Sequence, residues 1–170
     1  MRATFYTLLL IAVPALMQAQ TTFSTAVDYN DFIIEQQDNV GTAINTMMNN
    51  LDADSATLWR SYYDGKSATF AAAENIKNLS GFNGNTEFRD ASVALFLFYY
   101  SVFSNEYYQV LKIYTKEGFA DEDLNSINGI IESIVDRETT YDENFAAAQE
   151  KFAKDNGFEL IDGAESDEDY

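Results

Sequence analysis

The stretch "ALFLFYYSVFSNEYYQVLKIY", from Ala94 to Tyr114, decides the fold class of this chain. Large apolar and aromatic side chains fill most of its positions, and only Glu106 and Lys112 are charged. Three kinds of structure suit such a run: a membrane span, an aromatic cofactor pocket, or one helix of a helical bundle. The flanking residues and the composition of the whole chain distinguish between them.

The membrane interpretation fails on length. The chain carries no charge from Ala91 to Asn105, but a membrane-spanning helix needs about 20 predominantly apolar residues. A longer span would bring Glu106, Gln109 and Lys112 into lipid, at a cost of several kcal/mol unless they were paired. We therefore predict that this protein does not span a membrane once its N-terminal segment has been removed.

The cofactor interpretation fails on composition. The chain contains no histidine and no cysteine, so it lacks the usual haem ligands and the C-x-x-C-H attachment motif. It also lacks the glycine-rich turn between strand and helix that binds flavins and nucleotides. We predict no cofactor and interpret the run as the most enclosed helix of a bundle. Its inner stripe is predicted to contain Phe96, Tyr100, Phe103, Tyr107, Val110 and Tyr114.

The missing residue types also exclude most catalytic sites. Ser-His-Asp and Cys-His nucleophiles require histidine or cysteine, and so do zinc sites built from these residues. The Glu-x-x-His motif of di-iron helical bundles cannot occur, and no loop matches the calcium-binding EF-hand pattern. We predict that the protein is not an enzyme.

Hydrophobic periodicity predicts four helices, because apolar residues recur at steps of three and four. The only proline is Pro14, so no helix breaker follows it. We predict an all-α fold, an antiparallel up-down-up-down four-helix bundle over residues 20–158. The predicted helices run from about Thr22 to Asn50, from a cap at Asp54 or Ser55 to Leu79, from a cap at Asn85 or Thr86 to about Lys116, and from Ala120 to Asn156.

The two ends of the chain have different compositions. The first residues, "MRATFYTLLLIAVPALMQAQ", place Arg2 before an apolar run and Ala19 after it, which is typical of a secretory signal peptide over residues 1–19. The alternative is a retained N-terminal anchor helix. Export would place the mature chain in the periplasm or on the surface of a Gram-negative bacterium. Residues 159–170 are acidic and poor in apolar side chains, so we predict a disordered tail.

The charge balance limits the choice of partner. The chain has 28 acidic and 10 basic residues, for a net charge of −18. Phosphate recognition needs clustered lysine and arginine, so we predict no nucleic-acid partner. A solvated acidic surface is the plainer interpretation, and cations or basic proteins remain compatible with it.

Polar residues interrupt the apolar stripes near the middle of the predicted bundle. They are Gln36, Glu106 and Glu138, and Tyr62 is placed to reach the same level. Such a layer either fixes the register of the helices or binds a small molecule or cation, with Arg137 or Arg60 as alternative partners for the acids. These four residues are the candidate site.

Two short motifs suggest covalent modification. "NLS" at Asn78 matches the N-glycosylation tripeptide, which often arises by chance. "DSA" at Asp54 resembles the short O-glycosylation acceptor of the Bacteroidetes periplasm, which would make Ser55 the modified residue. The alternative is that Ser55 is a helix cap.

Taken together, "ALMQAQ", "DYNDFIIEQQDNV" (Asp28 to Val40), "ALFLFYYSVFSNEYY" and the absence of cysteine resemble the small exported, all-helical surface or periplasmic proteins of Bacteroidetes and spirochaetes. The resemblance implies an envelope location and a helical bundle, and it supplies no catalytic residues. The predicted function is that of an exported, non-enzymatic envelope protein that binds an unknown envelope protein partner. The alternative is a bundle that binds a small molecule or cation.

Overall fold

The structure, a computed structural model, describes residues 22–160. Within this range it is all-helical and contains no β-strand, which confirms the predicted fold class. The third helical rod, residues 87–114, is continuous but contains one π-helical turn. The elements are α1 (Ala26–Asn49), α2 (Ser55–Lys77), α3 (Glu87–Val102), the π-turn (Phe103–Tyr107), α4 (Tyr108–Tyr114) and α5 (Asp121–Asn156). Residues 1–19, the predicted signal peptide, and residues 161–170 of the predicted tail lie outside the described range.

Side-chain caps fix where three of the helices begin. The Thr25 hydroxyl accepts a hydrogen bond from the backbone N–H of Asp28, and the Asp54 carboxylate accepts bonds from the N–H groups of Ala56 and Thr57. Such bonds satisfy amides that have no partner inside the helix. Asp54 is therefore the cap of α2, and Ser55 is the first residue of the helix. The prediction that Ser55 is a helix cap was wrong.

Local interactions also determine where α3 begins and where α5 ends. Asn85 accepts a hydrogen bond from the N–H of Glu87 through its side-chain oxygen, whereas the Thr86 side chain makes no capping bond. At the other end of the chain, α5 terminates at Gly157, whose φ of 72° lies in the left-handed region that glycine adopts without strain. Both positions agree with the predicted boundaries.

The π-turn forms where α2 approaches the third rod most closely. A Cβ atom on Gly65 would lie 2.5 Å from two ring atoms of Phe103, so only glycine leaves room for that ring. The hydroxyl of Tyr62 donates a hydrogen bond of 2.8 Å to the backbone carbonyl of Phe103. An outside donor of this kind supports an irregular helical turn, because it satisfies a carbonyl within it.

The core consists of two hydrophobic clusters that follow one another along the rods. The third rod contributes to both clusters and packs against α2 and α5. Each fully buried large apolar side chain stabilises the fold by roughly 1.5–3 kcal/mol. The first cluster includes Tyr29, Ile33, Val40, Ile76, Phe88, Phe96 and Phe152, and the second includes Met47, Leu58, Tyr62, Val102, Phe103, Leu111 and Ile134.

Four aromatic rings join the two ends of the described chain. Phe23, which precedes α1, lies 5.2 Å from Tyr29 between ring centroids, and Tyr29 lies 5.4 Å from Phe152. Phe152 in turn lies 6.0 Å from Phe158, just beyond α5. The start of α1 and the end of α5 therefore share one end of the molecule.

The third rod is less enclosed than its sequence suggested. Leu97 and Tyr108 expose 43% and 40% of their surface, although both lie within the long apolar run. Between residues 22 and 160, no helix combines the length and apolar character that a membrane span requires. One side of the run is thus surface.

Candidate interaction surface

The four residues of the predicted polar layer bond to different partners. Gln36 is buried in α1 and accepts a hydrogen bond of 2.9 Å from the Asn75 side chain of α2. Tyr62 is bonded to the backbone of Phe103. Neither bond involves Glu106 or Glu138. Within residues 22–160, no hydrogen bond joins any two members of the predicted layer.

The two glutamates have different partners. Glu106, in the π-turn, accepts a bond of 2.6 Å from Arg137 of α5 through Oε1. Its second oxygen, Oε2, is buried and has no protein partner within the described residues. Glu138 accepts a bond of 2.7 Å from the Tyr99 hydroxyl. Of the alternatives left open for these acids, Glu106 adopts the pairing with Arg137, and no hydrogen bond joins the two carboxylates within the described residues.

Burial and the charge of Glu138 perturb the neighbouring tyrosines. Burial, followed by the hydrogen bond to Glu138, raises the pKa of Tyr99 well above its ordinary value. Burial, followed by the negative charge of Glu138, raises the pKa of Tyr107 to about 12. Burial, followed by the charge of Glu138, also raises the pKa of Asp142. These shifts favour neutral tyrosines, which suits structural hydrogen bonding rather than proton transfer near pH 7.

No group of three or more acidic side chains that could hold a metal ion occurs between residues 22 and 160. The polar contacts instead link pairs of helices. In addition to Gln36 and Asn75, Gln149 of α5 donates a bond of 2.9 Å to Asn30 of α1. A partly buried amide pair of this kind favours one alignment of two helices, because a shift would leave its buried member, Gln36 or Asn30, without that partner.

A second set of aromatic residues lies half-buried or exposed on α2 and the third rod; Tyr100, predicted for the inner stripe of the third rod, is only half-buried and belongs to this set. We call it the aromatic face. It consists of Trp59, Tyr63 and Phe70 on α2 and Tyr100 and Tyr108 on the third rod. Tyr63 and Phe70 expose 56% and 48% of their surface. The face runs along the groove where these two rods meet.

Ring contacts hold the aromatic face together across the two rods. The Trp59 ring lies 6.1 Å from that of Tyr63 and 5.8 Å from that of Tyr108. Phe70 lies 5.3 Å from Tyr100. These separations are within the range at which aromatic pairs attract one another. We call these rings the platform: Trp59 with Tyr63 and Tyr108, and Phe70 with Tyr100.

Lysines border the platform. The Nζ atom of Lys66 lies 5.5 Å from the centroid of the Tyr100 ring, and that of Lys112 lies 5.6 Å from the centroid of the Tyr108 ring. Both distances suit cation–π attraction. Arg60, three residues before Tyr63, is its neighbour on the surface of α2. Among the described residues, none of these three cations has a carboxylate oxygen within 4.0 Å.

An open groove lies on the other side of the third rod, between α3 and α5. It has a volume of about 660 Å³, and its lining includes Leu97, Phe98, Arg137 and Tyr141. The rings of Phe98 and Tyr141 stack at 4.6 Å, and the Arg137 guanidinium lies 5.5 Å from the Phe98 ring. Exposed Leu97 of the apolar run thus lies in the wall of this groove.

The signal for the aromatic face was present in the spacing of α2. Trp59, Tyr63, Lys66 and Phe70 recur at steps of four, three and four, parallel to the buried stripe that contains Tyr62 and Gly65. Periodicity alone does not tell which of two adjacent stripes another helix covers. Ser55, the candidate O-glycosylation residue, is exposed at the start of α2, and its modification stays a prediction.

Comparison of the chain with protein-family models, with curated proteins and with solved structures returned no match.

Proposed function

We propose that this protein is an exported, non-enzymatic helical bundle that binds a protein partner of the cell envelope through the aromatic face. The observation that carries the proposal is the exposure of Tyr63, Phe70 and Tyr108 in two groups of rings, each of which spans both rods. Scattered apolar side chains are normal on protein surfaces, but a contiguous patch typically marks a binding site.

The chemistry of the patch favours a protein partner. Tryptophan, tyrosine and arginine dominate the binding energy of protein interfaces, because they offer large, stiff contact surfaces that also form polar contacts. The aromatic face contains Trp59, Tyr63 and Tyr108, with Arg60 beside them. Since the rings already contact one another across two rods, a partner would lose little further entropy in fixing them.

The same proposal places the four rods in an antiparallel, up-down-up-down arrangement. The positions of contacts along the chain support this, because residue numbers fall on one rod as they rise on its neighbour. The supporting pairs are Tyr62 with Phe103, Phe70 with Tyr100, Glu87 with Lys151, and Glu106 with Arg137. In this arrangement the third rod lies between α2 and α5, and the aromatic face runs along its length.

Export rests on the pattern of the first 19 residues. It is tested by N-terminal sequencing of the protein from fractionated cells of its native host. We expect a mature chain that begins at Gln20 in the periplasmic or surface fraction. A full-length chain in the cytoplasmic fraction would contradict it.

Binding is tested by placing a photo-crosslinking amino acid at Tyr63, with a matched probe at Asn45, which is exposed on α1. We expect one reproducible crosslinked protein from the native envelope with the probe at position 63 and none with the probe at position 45. Equal yields at both positions, or no product at position 63, would contradict the proposal.

A further inference from the structure

We infer that the segment docking on the aromatic face presents two carboxylates, one on each side of an apolar centre. This inference rests on the proposed function and specifies the chemistry of the partner. It is carried by the charges that surround the aromatic face, which differ in sign from those of the rest of the molecule.

The aromatic face lies in a part of the chain that is unusually poor in acids. Asp64 is the only acidic residue from 55 to 73 of α2, and Glu106 is the only one from 91 to 116. Glu106 is bound to Arg137, on the side of the third rod that faces α5. The same two stretches carry four cations: Arg60, Lys66, Lys112 and Lys116. With four basic and two acidic residues, these two stretches together are a locally basic part of a chain whose net charge is −18.

Three of these four cations have no ion pair. Lys116 is paired with Asp123, and Lys77, Arg89, Arg137 and Lys151 also form ion pairs within the described residues. Arg60, Lys66 and Lys112 form none, although the protein has acids in excess, and Lys154 near the end of α5 is the other basic residue between 22 and 160 that forms none. Cations that lie beside exposed rings and have no internal partner are available for a carboxylate from outside.

The spacing of the two lysines sets the spacing of the carboxylates. Lys66 and Lys112 lie over Tyr100 and Tyr108, which are eight residues apart on one continuous rod. A helical rise of about 1.5 Å per residue puts these rings roughly 12 Å apart along the rod. The rings of Trp59, Tyr63 and Tyr108 supply the apolar surface. The matching segment is therefore acidic, apolar, then acidic.

A second copy of this chain fits the surface poorly. A two-fold symmetric dimer places the same patch on both sides of the contact, so the unpaired cations of one copy would meet those of the other. The overall negative charge does not prevent an acidic segment from docking, because charges more than about 8 Å away are largely screened at physiological ionic strength. Charge complementarity at the contact then decides which segment binds.

The test uses the intrinsic fluorescence of Trp59, the only tryptophan in the chain, with the full mature protein and synthetic peptides. The probe is a 14-residue helix-forming peptide with glutamate at its fourth and eleventh positions and phenylalanine and leucine at its seventh and eighth. Two control peptides carry glutamine or lysine in place of the glutamates. We expect a saturable change in Trp59 emission with the glutamate peptide, and affinity about five-fold weaker for the glutamine peptide, as two exposed ion pairs would give.

A pair of variants separates local from overall charge. The double variant Lys66→Gln/Lys112→Gln should remove the preference for glutamate over glutamine. The matched control, Lys77→Gln/Lys154→Gln, changes the net charge equally at exposed lysines elsewhere and should keep the preference. Loss of the preference in both variants would overturn the inference, because overall charge would then be its cause.

The other outcomes are equally decisive. Equal binding of the glutamate and glutamine peptides, tighter binding of the lysine peptide, or no binding of any peptide would overturn the inference. So would anionic phospholipid vesicles that shift Trp59 emission when the peptides do not, because the site would then recognise lipid. The crosslinking experiment at Tyr63 judges the proposed function separately, so either idea can fail while the other stands.

Discussion

Tyr62 and Tyr63 are consecutive residues of α2 that meet opposite surroundings. Tyr62 exposes 2% of its surface and donates its hydroxyl to the backbone of Phe103, whereas Tyr63 exposes 56%. The inner side of α2 therefore shapes the third rod, and the outer side carries the aromatic face. The comparison teaches that aromatic character on this helix serves two purposes, which mutation can separate because only the inner side contributes strongly to stability.

The largest difference is expected between two phenylalanines. Phe103→Ala should lower the free energy of unfolding by about 3–5 kcal/mol, because the ring is completely buried and its loss leaves a cavity beside Gly65. Phe70→Ala, on the aromatic face, should lower it by less than about 1 kcal/mol. Urea unfolding of both variants measures the two values. Equal losses would show that the aromatic face is part of the core.

Two glycines provide a sharper test of close packing. Gly65→Ala should cost about 1–2 kcal/mol, because the new Cβ would overlap the buried Phe103 ring and this outweighs the helix-forming advantage of alanine. Gly41→Ala in α1 has open space around it and should stabilise the protein by about 0.5–1 kcal/mol. Opposite signs in thermal or urea unfolding are the expected result. A stabilising Gly65→Ala would mean that the approach of α2 to the π-turn is looser than the structure has it.

Removing single hydroxyl groups compares the consecutive tyrosines directly. Tyr62→Phe should lower the free energy of unfolding by about 1 kcal/mol, since the buried carbonyl of Phe103 loses its donor. Tyr63→Phe should change it by less than about 0.5 kcal/mol. Unfolding curves with the same slope against denaturant would make the two values comparable. The idea that Tyr62 supports the π-turn would be wrong if the two variants were equally stable.

Alkaline pH should reveal the buried tyrosines without affecting stability near pH 7. Burial raises the pKa of Tyr107 to about 12, whereas an unfolded tyrosine titrates near 10. The folded state therefore holds the Tyr107 proton more tightly, so the contribution of Tyr107 to the free energy of unfolding should be constant below pH 10 and fall between pH 10 and 12. Tyr107→Phe should make that fall shallower. If the free energy of unfolding fell equally steeply with pH in both proteins, Tyr107 would ionise as easily in the folded state as in the unfolded state.

The helices could be predicted because their signals are local. The cap at Asp54, the glycine at Gly157 and the steps of three and four each depend on neighbours within one or two turns. The π-turn depends on Tyr62 and Gly65, which are about 40 residues from Phe103 along the chain. No local pattern records such a contact, so the third rod was predicted as a regular helix.

The side-chain partners of the candidate site residues could not be predicted, for a related reason. Gln36, Glu106 and Glu138 were each correctly identified as polar residues beside an apolar stripe, but their meeting depended on how the rods rotate about their axes. In the structure, Glu106 accepts a hydrogen bond from Arg137, and Glu138 accepts one from Tyr99. Likewise, the sequence shows that Trp59 and Tyr63 are aromatic, but only the packed arrangement shows that no described helix covers their side of α2.

The row of rings from Phe23 through Tyr29 and Phe152 to Phe158 has a mechanical consequence. Because the two ends of the described chain sit together, a pulling force applied to them would peel α1 from α5 one contact at a time instead of shearing the whole helix length at once. The resistance to tension would then depend on those few rings, and extension would begin there while the aromatic face was still intact.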